Sequence, residues 1–238
     1  MKIALIGYGK MGKAIEAIAI ERGHTVPLKI DISNQQDFTT ANLQQCDVAI
    51  EFTSPHSAVQ NLLTCLQSGV PVVCGSTGWL AQWEKVKMEC EKHKGALVYA
   101  SNYSVGVNIF FELNKKLAQL MQPYKEYDVS MEEIHHTEKK DAPSGTAITL
   151  AEQIIETLGR KKQWVNHTDI KPGDVAIISK RIDPAPGTHS IRYSSAIDDI
   201  EITHTAHNRQ GFATGAVLAA EFLKDKKGIY SMKDVLGF

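Results

Sequence analysis

A glycine-rich turn close to residue 1 constrains the fold more than any other feature. A short apolar run, residues 3–6, precedes it, and apolar residues at helical spacing follow it. Within a strand, turn and helix, the pattern G-x-G-x-x-G is typical of dinucleotide binding, because the glycines admit a pyrophosphate to the helix N terminus. We therefore expect phosphate binding here, with an unliganded glycine turn as the alternative. The turn reads Gly7-Tyr8-Gly9-Lys10-Met11-Gly12.

An acidic residue ends the second apolar run, residues 26–30. Asp31 lies about 20 residues beyond the glycines, where a carboxylate can accept hydrogen bonds from an adenosine ribose. A carboxylate there repels the 2′-phosphate of NADPH, although Lys10 and Lys29 could offset that repulsion. The sequence favours NADH over NADPH weakly.

Strand and helix patterns alternate through about residue 100. Further apolar runs cover residues 48–52, 70–74 and 97–100, and a helical pattern covers 57–67. This alternation predicts an α/β fold with a parallel sheet wrapped by helices. A second small-residue turn, Gly75-Ser76-Thr77-Gly78, would lie at the carboxyl edge of that sheet, where such folds bind ligands.

After residue 103 the pattern changes. Helical patterns cover residues 107–121 and 146–158, and strand-like runs at 175–178, 190–193 and 200–204 follow one another without helices between them. Successive strands of this kind predict an α+β arrangement with an open mixed or antiparallel sheet. A last helix is expected at 213–223.

Residues 133–146 form the densest polar cluster. Histidine changes protonation near neutral pH, so His135 or His136 could transfer a proton, and Lys139 supplies a cation. A helix that begins at Gly145-Thr146 offers N–H groups to a carboxylate. These residue types predict acid–base chemistry on an anionic substrate.

A metal site is the competing interpretation of this cluster, since Glu133, His135 and His136 could be ligands. The spacing matches no helical zinc pattern, and the adjacent lysines oppose a cation, so we expect no metal.

Composition excludes several other functions. With 26 basic and 27 acidic residues the net charge is -1, which makes nucleic acid an unexpected main partner. No apolar stretch approaches the roughly 18 residues that a membrane-spanning helix requires. The four cysteines form no C-x-x-C pair, so we expect reduced, buried thiols in a cytoplasmic protein.

These segments together resemble the dihydrodipicolinate reductases, also called 4-hydroxy-tetrahydrodipicolinate reductases, of lysine and diaminopimelate biosynthesis. The resemblance covers nearly the whole chain. It rests on the first glycine turn, Phe52-Thr53-Ser54-Pro55, Gly75-Ser76-Thr77-Gly78, residues 101–108, His135-His136 with Lys139, residues 141–147, and Thr203-His204-Thr205-Ala206 with Arg209, Phe212 and Gly215-Ala216.

The resemblance implies three segments. Residues 1–103 would form a Rossmann dinucleotide-binding domain, and 104–209 a substrate-binding domain whose mixed sheet assembles a homotetramer. Residues 210–238 would return to the first domain. The substrate would be a small cyclic, unsaturated dicarboxylate that NADH or NADPH reduces to tetrahydrodipicolinate.

The resemblance also implies residue roles. His135 would be the acid/base, Lys139 the proton donor or substrate cation, and His136 a substrate contact. Gly145 and Thr146 would seat a carboxylate. The residues expected to line the nicotinamide side are Gly75, Ser76, Thr77, Ala100, Ser101, Asn102 and Tyr103.

Some positions depart from the family pattern. Thr137 and Glu138 stand where many members have basic residues, which predicts a less positive pocket. The segment 31–47 is short and polar, and Ile32 replaces an arginine that could bind a 2′-phosphate. A different two-domain dehydrogenase, acting on a semialdehyde or sugar, and a dinucleotide sensor without turnover remain alternatives. Paired proton donors argue against the sensor.

Overall fold

The computed structural model of the chain describes residues 1–167, 169–208 and 210–238. Arg209, which contributes to the family resemblance, lies outside the described residues. The chain divides into two compact units. Unit 1 comprises Met1–Val105 and Gln210–Phe238, and unit 2 comprises Gly106–Arg209.

Unit 1 is built on a six-stranded parallel sheet with the strand order β11-β5-β4-β3-β1-β2. The strands are β1 (Lys2–Ile6), β2 (Thr25–Ile30), β3 (Val48–Glu51), β4 (Val72–Cys74), β5 (Ala96–Tyr99) and β11 (Gly228–Tyr230). The helices are α1 (Lys10–Glu21), α2 (Thr40–Leu43), α3 (Pro55–Gln67), α4 (Trp83–Lys92), α7 (Gln210–Leu223) and α8 (Met232–Leu236), with 3₁₀ turns at Ile32–Asp37 and Leu80–Gln82.

Both faces of this sheet are buried. Helices α3 and α4 contribute to the core on one face, and α1 and α7 to the core on the other. The inner strands therefore consist of continuous apolar runs instead of alternating residues, as the sequence predicted. Helix α7 comes so close to the chain that a Cβ atom on Gly215 would lie 1.7 Å from the carbonyl oxygen of Tyr103.

Unit 2 contains a five-stranded mixed sheet with the order β10-β9-β6-β8-β7. Strand β9 is antiparallel to β6 and β10, whereas β8 is parallel to β6 and β7. The prediction of an open mixed sheet is confirmed. The strands are β6 (Asp128–His135), β7 (Gln163–Val165), β8 (Asp174–Arg181), β9 (Gly187–Ser194) and β10 (Asp199–Ala206), and the helices are α5 (Val105–Met121) and α6 (Gly145–Leu158).

From Val129 to His135, strand β6 alternates strictly between buried and partly exposed side chains. Val129 and Met131 pack in the core with helix α6, and Glu133 and His135 continue the same face toward the end of the strand. The strand's period of two therefore places a carboxylate and an imidazole side by side on the covered face.

Among the described residues, no helix combines the length and the apolar character needed to cross a membrane. All four cysteines are buried and free.

Candidate active site

The three glycines of the first turn have different surroundings, so a side chain would have a different effect at each position. Gly7 has φ +97°, and a Cβ atom there would lie 2.0 Å from the carbonyl oxygen of Phe52. A Cβ atom on Gly12 would lie 2.4 Å from the carbonyl oxygen of Gly7, whereas one on Gly9 would meet no atom within 4 Å. Packing thus requires Gly7 and Gly12, and Gly9 borders open space, as a phosphate-binding turn requires.

The N terminus of α1 is open for an anion. Gly9 is its N-cap residue, no side chain caps it, and its first turn contains no acidic residue. The backbone N–H groups of Gly7 and Tyr8 donate to the carbonyl oxygen of Ile30 at 2.9 and 3.0 Å, which joins the turn to the end of β2. Lys10 is exposed, and Met11 packs partly against the core.

A cavity of about 310 Å³ adjoins the turn. Its lining includes Gly7, Tyr8, Gly9, Asp31 and Thr53. Asp31 Oδ1 accepts a hydrogen bond of 2.9 Å from the backbone N–H of Ser33 and thereby caps the 3₁₀ turn at Ile32–Asp37. Asp31, the predicted ribose contact, therefore lines the same cavity as the glycine turn.

Lys29 is already paired in the structure. Its Nζ lies 3.0 Å from Glu16 Oε1 and 5.2 Å from the centre of the Tyr8 ring. The Tyr8 hydroxyl also donates to Glu16, and the bonds from Tyr8 and Lys29 lower the pKa of Glu16. One of the two lysines that could offset repulsion of a 2′-phosphate therefore has its charge compensated.

Glu51, which the sequence analysis did not single out, joins the ends of β3 and β4. It is completely buried, and Oε1 accepts hydrogen bonds from Ser76 Oγ at 3.0 Å and from the Thr53 backbone N–H at 3.1 Å. An acidic residue inside an apolar run was the available signal. Glu51 therefore stabilises the turn that contains Gly75 and Ser76, while Thr77 is exposed.

Residues 100–103 separate into exposed and structural positions. Ser101 is exposed, and Asn102 Oδ1 accepts a hydrogen bond from the Ser104 backbone N–H at 2.9 Å. Tyr103 is only 2% exposed, and its hydroxyl lies 2.8 Å from the carbonyl oxygen of Cys74. The Tyr103 side chain is thus a packing group, and Ala100, Ser101 and Asn102 are the more accessible members of the segment.

In unit 2, the predicted acid–base residues lie at the end of β6 and in the loop that follows. His135 is the last residue of the strand and is 7% exposed, and His136 is half-buried just beyond it. Lys139 lies in the loop, where its Nζ is 2.8 Å from both carboxylate oxygens of Asp141. Since the strand ends at His135, the two neighbouring histidines are not restricted to opposite faces of the sheet.

Glu133 is the completely buried centre of this region. Its carboxylate accepts the Ser144 backbone N–H at 3.1 Å and Arg181 Nη2 at 3.2 Å, and Oε2 lies 3.3 Å from His135 Nδ1. Burial raises the pKa of Glu133, but interactions with His135, Ser144 and Ser179 lower it by more. The net pKa lies well below the ordinary value, so Glu133 is ionised at neutral pH.

Arg181 on β8 fixes the loop that carries Lys139. Its Nη2 also donates to the carbonyl oxygen of Asp141 at 2.6 Å, and its Nε to that of Lys139 at 3.3 Å. One guanidinium group therefore joins Glu133 to the loop. No local pattern indicates this role, because Arg181 lies 40 positions beyond Asp141 along the chain.

A third histidine, His189 on β9, is paired with Glu133 on the neighbouring strand β6, and both side chains lie on the covered face of the sheet. Its Nε2 lies 3.1 Å from Ser144 Oγ and 3.8 Å from Glu133 Oε2, and its ring centre is 5.2 Å from that of His135. Burial, and then the neighbouring His135, lower the pKa of His189 to about 4. His189 is therefore neutral at physiological pH, and sequence analysis missed it.

The predicted carboxylate seat lies at the N terminus of α6. Ser144 caps this helix, because its Oγ accepts the Ala147 backbone N–H at 3.2 Å. Gly145 is exposed, and a Cβ atom there would meet nothing within 4 Å, whereas Thr146 is half-buried. Space for a ligand thus exists at the first residue of the helix.

Glu133, His135 and His189 bring three potential metal-ligating atoms within 4.8 Å of one another. His136, a candidate from the sequence, is not in this group. The Arg181 guanidinium and the Ser144 N–H already occupy the carboxylate, and a neighbouring cation disfavours a metal ion. That no metal binds at this cluster remains a prediction.

Comparisons with known proteins identify the family of this chain. The family model "Dihydrodipicolinate reductase, N-terminus" matches residues 1–103, and "Dihydrodipicolinate reductase, C-terminus" matches residues 106–236. The chain belongs to the dihydrodipicolinate reductase family. The resemblance inferred from the motifs is confirmed.

Individual relatives support the membership. A 4-hydroxy-tetrahydrodipicolinate reductase of Christiangramia forsetii is 51% identical over 99% of this chain and 98% of its own. One of Methanosarcina acetivorans is 39% identical over 99% of this chain and 89% of its own. A dipicolinate-bound dihydrodipicolinate reductase from a Paenisporosarcina species has the same fold, with a TM-score of 0.78, 24% identity and 97% coverage of both chains.

Membership in the dihydrodipicolinate reductase family confirms the predicted activity class. The protein is an NAD(P)H-dependent oxidoreductase of lysine and diaminopimelate biosynthesis. The α/β fold with a Rossmann-type parallel sheet and a second mixed sheet is confirmed as well.

Proposed function

We propose that the protein reduces a small cyclic, unsaturated dicarboxylate with a preference for NADH, and that His135 and Lys139 carry the proton chemistry. The observation that carries this proposal is the arrangement at the end of β6. There a buried imidazole lies beside an ionised carboxylate. A lysine-bearing loop follows, and then a helix that begins at the exposed Gly145. The chain's relatives are named 4-hydroxy-tetrahydrodipicolinate reductase, and the structural neighbour from Paenisporosarcina contains bound dipicolinate. Both facts support the substrate class.

The residues of unit 1 would hold the dinucleotide. Gly9 and the open N terminus of α1 would receive the pyrophosphate, and Asp31 would accept hydrogen bonds from the ribose. Gly75, Ser76, Thr77, Ala100, Ser101 and Asn102 are proposed for the nicotinamide side, with Tyr103 supporting them from the core. When bound, the reduced nicotinamide supplies a hydride.

The residues of unit 2 would bind the substrate and complete the reduction. Gly145 and Thr146 would seat one carboxylate through backbone N–H groups, and His136 would contact the substrate. Hydride addition to a conjugated imine leaves negative charge on the neighbouring carbon and nitrogen. His135 would quench this charge by giving up a proton, while Lys139 would stabilise the anion or supply the proton itself.

The NADH preference follows from charge near the proposed ribose site. Asp31 repels a 2′-phosphate, Glu16 compensates the charge of Lys29, and Ile32, 93% exposed, offers no cation. Lys10 is the remaining basic residue of the turn, so the expected preference is modest.

The proposed assembly is a homotetramer formed through the sheet of unit 2. Ile178 on β8 is an exposed apolar side chain on the face of this sheet opposite helix α6, where another copy would bury it. We also propose that unit 1 is the dinucleotide-binding domain and that unit 2 is the substrate-binding domain. The proposed location is the cytoplasm, where buried cysteines stay reduced and unpaired.

A cofactor-oxidation assay tests the proposal. Absorbance at 340 nm should fall when the cyclic substrate is added with NADH, more slowly with NADPH, and not with amino-acid semialdehydes. Turnover of a semialdehyde at a comparable rate would refute the substrate assignment, and faster turnover with NADPH would refute the cofactor preference.

A further inference from the structure

The two ring nitrogens of His135 have different surroundings. Nδ1 faces inward, is buried, and lies 3.3 Å from Glu133 Oε2. Nε2 points toward Gly187, where a Cβ atom would come within 3.1 Å of it. A residue larger than glycine at position 187 would therefore crowd Nε2, so the glycine keeps this side of the ring open.

The inward contact determines where a neutral His135 carries its proton. The contact is less well aligned than a hydrogen bond, and Nδ1 has no hydrogen-bond partner among the described residues. Catalytic hydrogen bonds are often long in ligand-free proteins and tighten on binding. An ionised carboxylate can only accept hydrogen bonds, so it favours a proton on Nδ1.

The groups around this pair keep the carboxylate ionised. Arg181 reaches Glu133 from β8, and the Ser144 N–H donates to both oxygens from the start of α6. His189 faces the pair from β9 and is neutral, so it does not repel a protonated His135. Of the groups named in this paragraph, Glu133 is the one that places a negative charge beside His135.

We propose that Glu133 is a positioning residue that holds a proton on His135 Nδ1 and thereby makes Nε2 the atom that transfers the proton to substrate. This inference rests on the proposed role of His135. In the transfer, the bond from Nε2 to its proton breaks as the proton joins the substrate carbon. His135 is left neutral with its proton on Nδ1, Glu133 stays ionised, and solvent restores the proton on Nε2.

The first test reads the histidine directly and needs no turnover. In ligand-free protein with ¹⁵N-labelled histidine, nuclear magnetic resonance should show neutral His135 with its proton on Nδ1, and His135→Gln assigns the signal. In Glu133→Gln, the proton should redistribute toward Nε2. A wild-type His135 protonated on Nε2 when neutral overturns the proposal, whatever the variants do.

The second test separates positioning from general stability. Glu133→Gln should lower kcat about 10- to 100-fold, the loss typical of carboxylates that orient metal-bound histidines, with KM for NADH within twofold. Glu133→Asp, which keeps the charge, should recover part of that loss. A folded Glu133→Gln with wild-type kcat, or a Glu133→Asp no better than the amide, contradicts the proposal.

Tyr193→Phe is the matched control. Tyr193 lies on β9 on the same covered face, is completely buried, and its hydroxyl has no hydrogen-bond partner among the described residues. Its removal should leave kcat and the His135 signal unchanged. If His135→Gln itself keeps full activity, the proposed function fails, while the tautomer measurement still decides the role of Glu133.

Discussion

The ammonium group of Lys139 lies 2.8 Å from each carboxylate oxygen of Asp141. The proposed substrate cation is therefore paired within its own loop before any ligand arrives. Hydrogen bonding to Lys139 lowers the pKa of Asp141, so its carboxylate is ionised at neutral pH. A dicarboxylate must compete with Asp141 for this lysine, or share it.

Releasing Lys139 should strengthen substrate binding. Asp141→Asn removes the competing charge, while Arg181 still holds the backbone of the loop through carbonyl oxygens. Exposed ion pairs are worth up to about 1 kcal/mol, so KM for the dicarboxylate should fall by up to about fivefold. Lys139→Met should raise the same KM and leave KM for NADH unchanged. A higher KM in Asp141→Asn would show instead that Asp141 orients the lysine.

Loss of the imidazole should affect turnover far more than binding. His135→Gln removes the proposed acid/base, and general acid catalysis typically contributes about 10²–10⁴-fold. We expect kcat to fall within that range and KM to change only a few-fold, measured by NADH oxidation at 340 nm. Thermal melting of the variant serves as the folding control. A kcat within threefold of wild type would remove His135 from the mechanism.

Two glycines of the same turn should respond differently to alanine. Gly9→Ala adds a methyl group in open space, so the melting temperature should hold while KM for NADH rises at least tenfold. Gly12→Ala places its methyl group 2.4 Å from a backbone oxygen and should destabilise the fold. Melting curves and cofactor titrations distinguish them. Unchanged NADH binding in Gly9→Ala would argue against phosphate binding at the turn.

Cofactor preference should shift when the charge of Asp31 is removed. Asn caps helical turns as well as Asp, so Asp31→Asn retains the bond to the Ser33 backbone while it removes the repulsion of a 2′-phosphate. The ratio of kcat/KM for NADPH to that for NADH should rise about tenfold. Glu16→Gln, which frees Lys29, should raise it further in the double variant. No change in either variant would place the preference elsewhere.

Stability should fall in mild acid because of His189. Its pKa of about 4 in the folded protein lies below its ordinary value of 6.5, so the unfolded chain binds the proton first as the pH falls. The free energy of unfolding should therefore decrease from about pH 6.5 to 4, by roughly 3 kcal/mol for this group.

His189→Gln removes the titrating ring and should flatten that slope in urea unfolding. Glu133 contributes to stability at lower pH, because its pKa in the folded protein lies below that of an ordinary glutamate. This stabilisation is complete above the ordinary glutamate pKa and is lost as the pH falls below it. An identical slope in His189→Gln would show that other groups dominate acid unfolding.

Much of the fold was accessible from the sequence because its signals are local. Apart from Glu51, runs such as residues 48–52 and 70–74 are apolar throughout, and only strands buried on both faces require that pattern. The short strands β7 and β11 have three residues each, too few for a periodic signal. They form because a neighbouring strand offers unpaired backbone groups.

The sequence by itself determined the glycine turn and the acidic end of β2, because each depends only on neighbouring residues. The placement of Glu133 beside His135 follows once β6 is a strand, since side chains two positions apart share a face. Only the tertiary structure decided which residues surround that pair. Arg181 lies 48 positions beyond Glu133, and His189 lies 45 positions beyond Ser144. Strand register brings them together, and a shift of one residue would turn His189 to the opposite face of the sheet.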